Sequence, residues 1–115
     1  MVSGGIKGRQ LAGSITTAEA LPAVVTAVGA RVPVLVDGGI RTGEDVLRAL
    51  ALGAAAVLVG RPVARALRTG GAEGVRVALD TLRAELELAM ALGGVPDLAA
   101  ATTLDLRHAT ETPRG

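Results

Sequence analysis

Two short aliphatic runs, each closed by a glycine-rich loop and set one helix apart, constrain this chain more than any other feature. Val32-Pro33-Val34-Leu35-Val36 ends in Asp37-Gly38-Gly39, and Ala55-Ala56-Val57-Leu58-Val59 ends in Gly60-Arg61-Pro62. The first run shows no polar alternation, so it reads as a strand buried on both faces, as parallel strands are. Between the runs, Thr42 and Asp45 have the spacing of a capping box, and Val46, Leu47, Leu50 and Ala51 recur at helical intervals before Gly53. Strand, helix, strand in so short a stretch is a βαβ unit, and its two strands must run parallel.

The flanks extend the pattern. Residues 1–15 read as a loop punctuated by Gly4, Gly5, Gly8 and Gly13. Thr16 and Glu19 repeat the capping spacing, which places a helix from there to about Val28, with Gly29 as its stop. Pro22 leaves open a later start, at Leu21–Pro22. Beyond the second run, Pro62 suits the first turn of a short helix over 62–69 that ends at Gly70-Gly71. A long helix over 72–92 carries Val75, Leu79, Leu82, Leu86, Ala89 and Met90 on one stripe and stops at Gly93-Gly94. A short helical turn over Asp97–Ala101 and a polar tail complete the chain. The organisation is therefore a loop over about 1–15, βα units over 16–94 and a tail over 95–115.

The class is α/β, and the pattern is incomplete on its own. Two parallel strands cannot close a sheet, and their edges and apolar faces need cover. The chain reads as a piece of something larger, or as one that assembles with copies of itself.

Composition removes several functions. The 115 residues hold no Cys, Phe, Tyr or Trp, and 12 basic against 11 acidic residues give a net charge of +1. Without cysteine there is no disulfide scaffold, thiolate metal site or thiol nucleophile. Without aromatics there is no stacking platform for single-stranded bases, and the balanced charge argues against a nucleic-acid binder. The run Ala54–Val59 is too short to cross a bilayer, and Gly4, Gly5, Lys7 and Arg9 stand where a signal peptide needs apolar residues. A cytoplasmic location is the expectation.

Chemistry concentrates in the two loops that follow the strands, where ligands bind in α/β folds. Glycines admit an anion close to the backbone, helix N-terminal amides point at it, and an arginine adds a bidentate charge. Barrels of the (β/α)8 type build a phosphate site from the loops after strands seven and eight plus a short extra helix, and this chain shows that order of parts. Either loop alone reads more readily as a tight turn; the two together favour phosphate. Arg48, Arg65, Arg68, Arg76 and Arg83 read as solvated helix faces, and Glu85 and Glu87 as surface charges. His108, the only histidine, lies in the tail with no metal-binding partners. No Ser–His arrangement supports nucleophilic hydrolysis.

Residues Val32 to Pro62 strongly resemble the carboxyl-terminal part of the FMN-dependent α-hydroxy-acid oxidoreductases, the glycolate and lactate oxidases and the lactate and mandelate dehydrogenases. Gly8-Arg9-Gln10-Leu11 with Gly13, then Ala18-Glu19-Ala20-Leu21-Pro22, resembles the segment before it, and Glu85 to Gly93 the family's last long helix. The resemblance implies the last two strands and helices of a (β/α)8 TIM barrel. It assigns Asp37, Gly38, Gly39, Ile40 and Arg41 to the FMN ribityl and phosphate, with Gly60 and Arg61 completing the phosphate site. It matches Arg9 to the arginine that pairs with the substrate carboxylate. The implied reaction oxidises a 2-hydroxy acid to a 2-oxo acid, with a hydride passing to FMN. Other phosphate-binding barrels (IMP dehydrogenase, type 2 isopentenyl diphosphate isomerase) use loops like Asp37 to Arg41, and a non-catalytic remnant is a further alternative.

The departures bear on activity. In the register of Arg9, Ile6 stands where the family's proton-abstracting histidine belongs, and Ala12 replaces its usual aspartate. The family's active-site tyrosine and flavin-contacting lysine have no match. The expectation is FMN binding that is weak or dependent on assembly, no turnover, and either self-association or a complementing upstream barrel fragment.

Overall fold

The computed structural model describes residues 2–3, 17–29, 31–104 and 106. Three strand–helix pairs follow one another: β1 (Val2–Ser3), α1 (Thr17–Val28), β2 (Leu35–Asp37), α2 (Gly43–Ala51), β3 (Ala56–Leu58) and α3 (Arg61–Leu92). A 3-10 turn at Ala99–Thr103 ends the described chain's regular structure.

The strands form one parallel sheet in the order β1-β2-β3. Val2 lies opposite Val36 and Ser3 opposite Asp37, while Leu35, Val36 and Asp37 face Ala56, Val57 and Leu58. The sheet corrects two expectations. Residues 1–15 are not all loop, because Val2–Ser3 pairs with β2, so the chain presents three βα pairs rather than two. Two residues carry no periodicity, and only the pairing across the sheet makes them a strand. The second correction concerns burial. Val34 and Val36 are buried, at 6% and 3% exposure, but Leu35 and Asp37 are half-buried and Leu58 is 41% exposed. The sheet is dry on one face only, and β2 starts after Val32-Pro33 because proline cannot donate to the ladder.

The helices follow their punctuation. α1 begins at Thr17 and continues through Pro22, so the later start is not used. Its end is sealed by Gly29, at φ 63°, whose N–H donates to the Val25 carbonyl at 3.0 Å. Arg31 adds two side-chain bonds to the carbonyls of Val28 and Ala27, at 2.9 and 3.0 Å. α2 carries the expected capping box: the Asp45 N–H donates to Thr42 Oγ1 at 3.2 Å, and the Thr42 N–H to Asp45 Oδ2 at 3.2 Å. α3 is two helical segments joined at Gly71, whose φ of 61° and ψ of −151° only glycine adopts readily, as Gly70-Gly71 predicts.

Two cores hold these pieces together. Leu21, Val34, Val36, Ile40, Ala49 and Ala54 join α1, the sheet and α2. Leu47 and Leu50 of α2 meet Val95 and Ala101, with Leu86, Ala89 and Met90 of α3 packed alongside. The start of the tail is thus core, because the turn brings Val95 and Ala101 under α2. The first half of the α3 stripe is less well covered, and Leu79 is exposed.

Candidate functional site

Both loops named by the sequence open onto one cleft of about 510 Å³, at the carboxyl ends of β2 and β3. It is lined by Asp37 at the end of β2, Gly38, Gly39, Ile40 and Arg41 from the first loop, Leu58 at the end of β3, Gly60 just before α3, and Arg61, Pro62 and Arg65 from the start of α3. Every expected cofactor residue is among them. Parallel pairing of β2 with β3 brings the two together, since it places both strand ends on the same side.

The first loop is shaped by two left-handed glycines, Gly38 at φ 100° and Gly39 at φ 79°. Two successive positive φ values turn the chain sharply, a conformation that a side chain would strain. Ile40 then returns to the core, where it is buried against Leu21 and Val36, so it anchors the loop while bordering the cleft. The Arg41 N–H donates to Asp45 Oδ2 at 3.0 Å, which fixes the backbone that carries its guanidinium.

The second loop differs. Gly60 has an ordinary φ of −108°, and a Cβ there would meet no atom within 4 Å among the described residues beyond its chain neighbours. Neither conformation nor packing among the described residues requires glycine at this position. What a missing side chain provides here is room at the mouth of α3, whose N-terminus has no side-chain cap.

That contrast decides which helix end can receive an anion. At α2 the amides of Thr42 and Asp45 are engaged by the capping box, and the Gly43 N–H donates to Glu85 Oε1 of α3 at 3.3 Å. The amides of Thr42, Gly43 and Asp45 at the α2 start are thus engaged by the protein's own side chains, whereas the α3 start has no side-chain cap and can complement an anion. Glu85 is a correction to its reading as a surface charge: it is half-buried and crosses between helices. Glu87 is exposed and pairs with Arg83.

Arg65 is exposed, as expected of a solvated helix face. It lines the cleft one helical turn beyond Arg61, on the same side of α3. The spacing of four was the signal available in the sequence. Arg48, Arg76 and Arg83 are paired with acids on exposed helix faces, as expected. Ile6, Arg9 and His108 lie outside the described residues. Among those described, no group of His, Cys, Asp or Glu could hold a metal ion, and no helix is long and apolar enough to cross a membrane.

Comparison with known proteins places this geometry. The family model described as FMN-dependent dehydrogenase matches residues 4–108. An L-lactate dehydrogenase of Caulobacter vibrioides is 54% identical over 92 residues, covering 80% of this chain and 24% of the relative. An L-lactate oxidase of Nostoc sp. is 52% identical over 91 residues, covering 79% of this chain and 25% of its own length. A structure of a mandelate oxidase mutant with the monooxide FMN adduct superposes with a TM-score of 0.82 at 51% identity, over 90% of this chain and 33% of that one. The chain thus spans about a quarter of the length of these curated relatives.

Proposed function

The chain belongs to the FMN-dependent dehydrogenase family, and on that footing we propose that it binds FMN by its phosphate in the cleft between the two strand-end loops. The observation that carries the proposal is the convergence of Gly38, Gly39, Arg41, Gly60 and Arg61 on one cleft, beside a helix start with no side-chain cap. In this reading the three βα pairs are the carboxyl-terminal portion of a (β/α)8 barrel. Asp37 accepts from the ribityl hydroxyls, and the loop amides with Arg41 and Arg61 hold the phosphate. The residues fit that group: two glycines expose backbone, the arginines supply charge, and the cleft volume lies in the ordinary range for small-ligand sites.

Bound FMN supplies a two-electron acceptor, and the reaction proposed for the complete site is oxidation of a small 2-hydroxy acid to its 2-oxo acid. Arg9 would pair with the substrate carboxylate through its planar fork. Ile6, in the place of the expected base, has no lone pair to take the hydroxyl proton. The proposal is therefore cofactor binding without turnover by this polypeptide. The outer strands β1 and β3, which have no further partner among the described residues, support a need for further strands, from a second copy or from a complementing barrel segment.

An FMN titration followed by flavin fluorescence tests the reading, with riboflavin as the control. No Trp or Tyr is present to obscure the signal. The expected result is saturable binding of FMN, little binding of riboflavin, and loss of the difference in Arg61→Ala. Equal behaviour of the two flavins sinks the phosphate site. Bleaching of bound FMN by a 2-hydroxy acid would instead overturn the proposed lack of turnover.

A further inference from the structure

Arg41, Arg61 and Arg65 share a feature that sets them apart from half of the described arginines. Arg31 is tied to two helix carbonyls, and Arg48, Arg76 and Arg83 to carboxylates. No ion pair or side-chain hydrogen bond joins the guanidiniums of Arg41, Arg61 and Arg65 to another described residue. All three line the same cleft. Arg68 also lacks such a partner but lies outside it.

Like charges one turn apart on a helix repel, so Arg61 and Arg65 side by side at the start of α3 cost stability unless an anion lies between them. Among the described residues the only acid in the lining is Asp37, so the described lining sets three guanidiniums against one carboxylate. A phosphate monoester near neutral pH carries between one and two negative charges and offers three acceptor oxygens, more than one guanidinium can serve. We propose that Arg65 is a specificity-determining residue of this cleft, a third cationic arm that selects the dianionic phosphate of a phosphorylated flavin over an uncharged one. The inference rests on the flavin-phosphate reading above and adds to it a residue that neither the sequence nor the family resemblance assigned.

The test compares the full chain with Arg65→Ala and Arg65→Lys in titrations with FMN and with riboflavin, at low and high salt. Circular dichroism of each variant checks its fold. The expected result for Arg65→Ala is FMN binding about tenfold weaker, on the scale of one charge-assisted hydrogen bond, with riboflavin unchanged. Salt should weaken FMN binding less in that variant than in the parent, because fewer charges remain to be screened. Arg65→Lys should recover part of the loss, since it keeps the charge and not the fork. An Arg65→Ala chain that binds FMN as tightly as the parent, while the parent still prefers FMN to riboflavin, overturns the role of Arg65 alone. A parent that does not discriminate overturns the phosphate reading and this inference with it. If Arg65→Ala loses its fold, the lysine variant decides: unaltered salt dependence and affinity below that of the parent support a need for the bidentate arginine, and equal FMN and riboflavin loss overturns it.

Discussion

At Gly43 a single methyl group would meet the backbone of α3 head on. An ideal Cβ there lies 2.1 Å from the Leu86 nitrogen and 2.5 Å from the Leu82 carbonyl oxygen. Its φ is not the reason for glycine; the close crossing of α2 over α3 is. Gly43→Ala should therefore lower stability by about 3 kcal/mol, the upper end of overpacking costs, since backbone atoms cannot rotate aside. Urea unfolding measures it, and an unchanged midpoint would mean that the two helices do not cross this closely in solution. Glu85 belongs to the same crossing. Glu85→Ala should cost about 1 kcal/mol by orphaning the Gly43 N–H, while Glu85→Gln keeps an acceptor and most of the stability. The capping partners Thr42 and Asp45 were legible because they stand three residues apart. Glu85 was not, because its partner lies 42 positions away and no local pattern connects them.

Among the elements, the helices were the readable part. Gly29, Gly53, Gly71 and Gly94 all take positive φ where the sequence predicts an end, so the breaks are set by a backbone preference that one residue type expresses. Strand limits were less legible. β1 has two residues and exists by pairing with Val36 and Asp37, and β3 keeps Leu58 exposed although its run looks wholly apolar. Composition reports which residues could be buried, not whether another layer is present to bury them. The break in α3 carries its own prediction. Beyond Gly71 the second segment turns back so closely that a Cβ on Gly74 would lie 2.5 Å from the Ala66 carbonyl oxygen. The first segment borders the cleft and the second packs on α2, so straightening the helix would give up one or the other. Gly71→Ala should thus destabilise the chain by about 1–3 kcal/mol, the cost of holding a side chain in that backbone region. A thermal melt no lower than the parent's, with a gain in helical circular dichroism, would show instead that the two segments fuse without penalty.

On the scale of the whole molecule, the balance of covered and open surface governs behaviour. Two cores are filled, yet Leu67, Val77, Leu79, Leu88 and Leu92 of α3 stand exposed, Leu92 at 81%. Leu88 and Leu92 also border a second hollow of about 370 Å³ beside Thr42, Glu44 and Glu85, on the side of α3 that crosses α2. The sheet has β1 and β3 as its outer strands, and among the described residues neither has a further partner. Parallel sheets bury both faces in stable folds, and exposed edges and apolar patches of this kind draw chains together. The chain should therefore sediment as an oligomer at micromolar concentration. Replacing Leu88 and Leu92 together by lysine should shift it toward monomer, because neither is buried and their charge would face any partner laid on that helix. Sedimentation velocity separates the cases. If the parent is monomeric, the open surfaces are tolerated and the proposed need for a partner is wrong. If the double variant stays oligomeric, the sheet edges rather than α3 make the contact. A shift to monomer with retained circular dichroism and weakened FMN binding would link assembly to the cofactor site, although neither leucine lines the cleft.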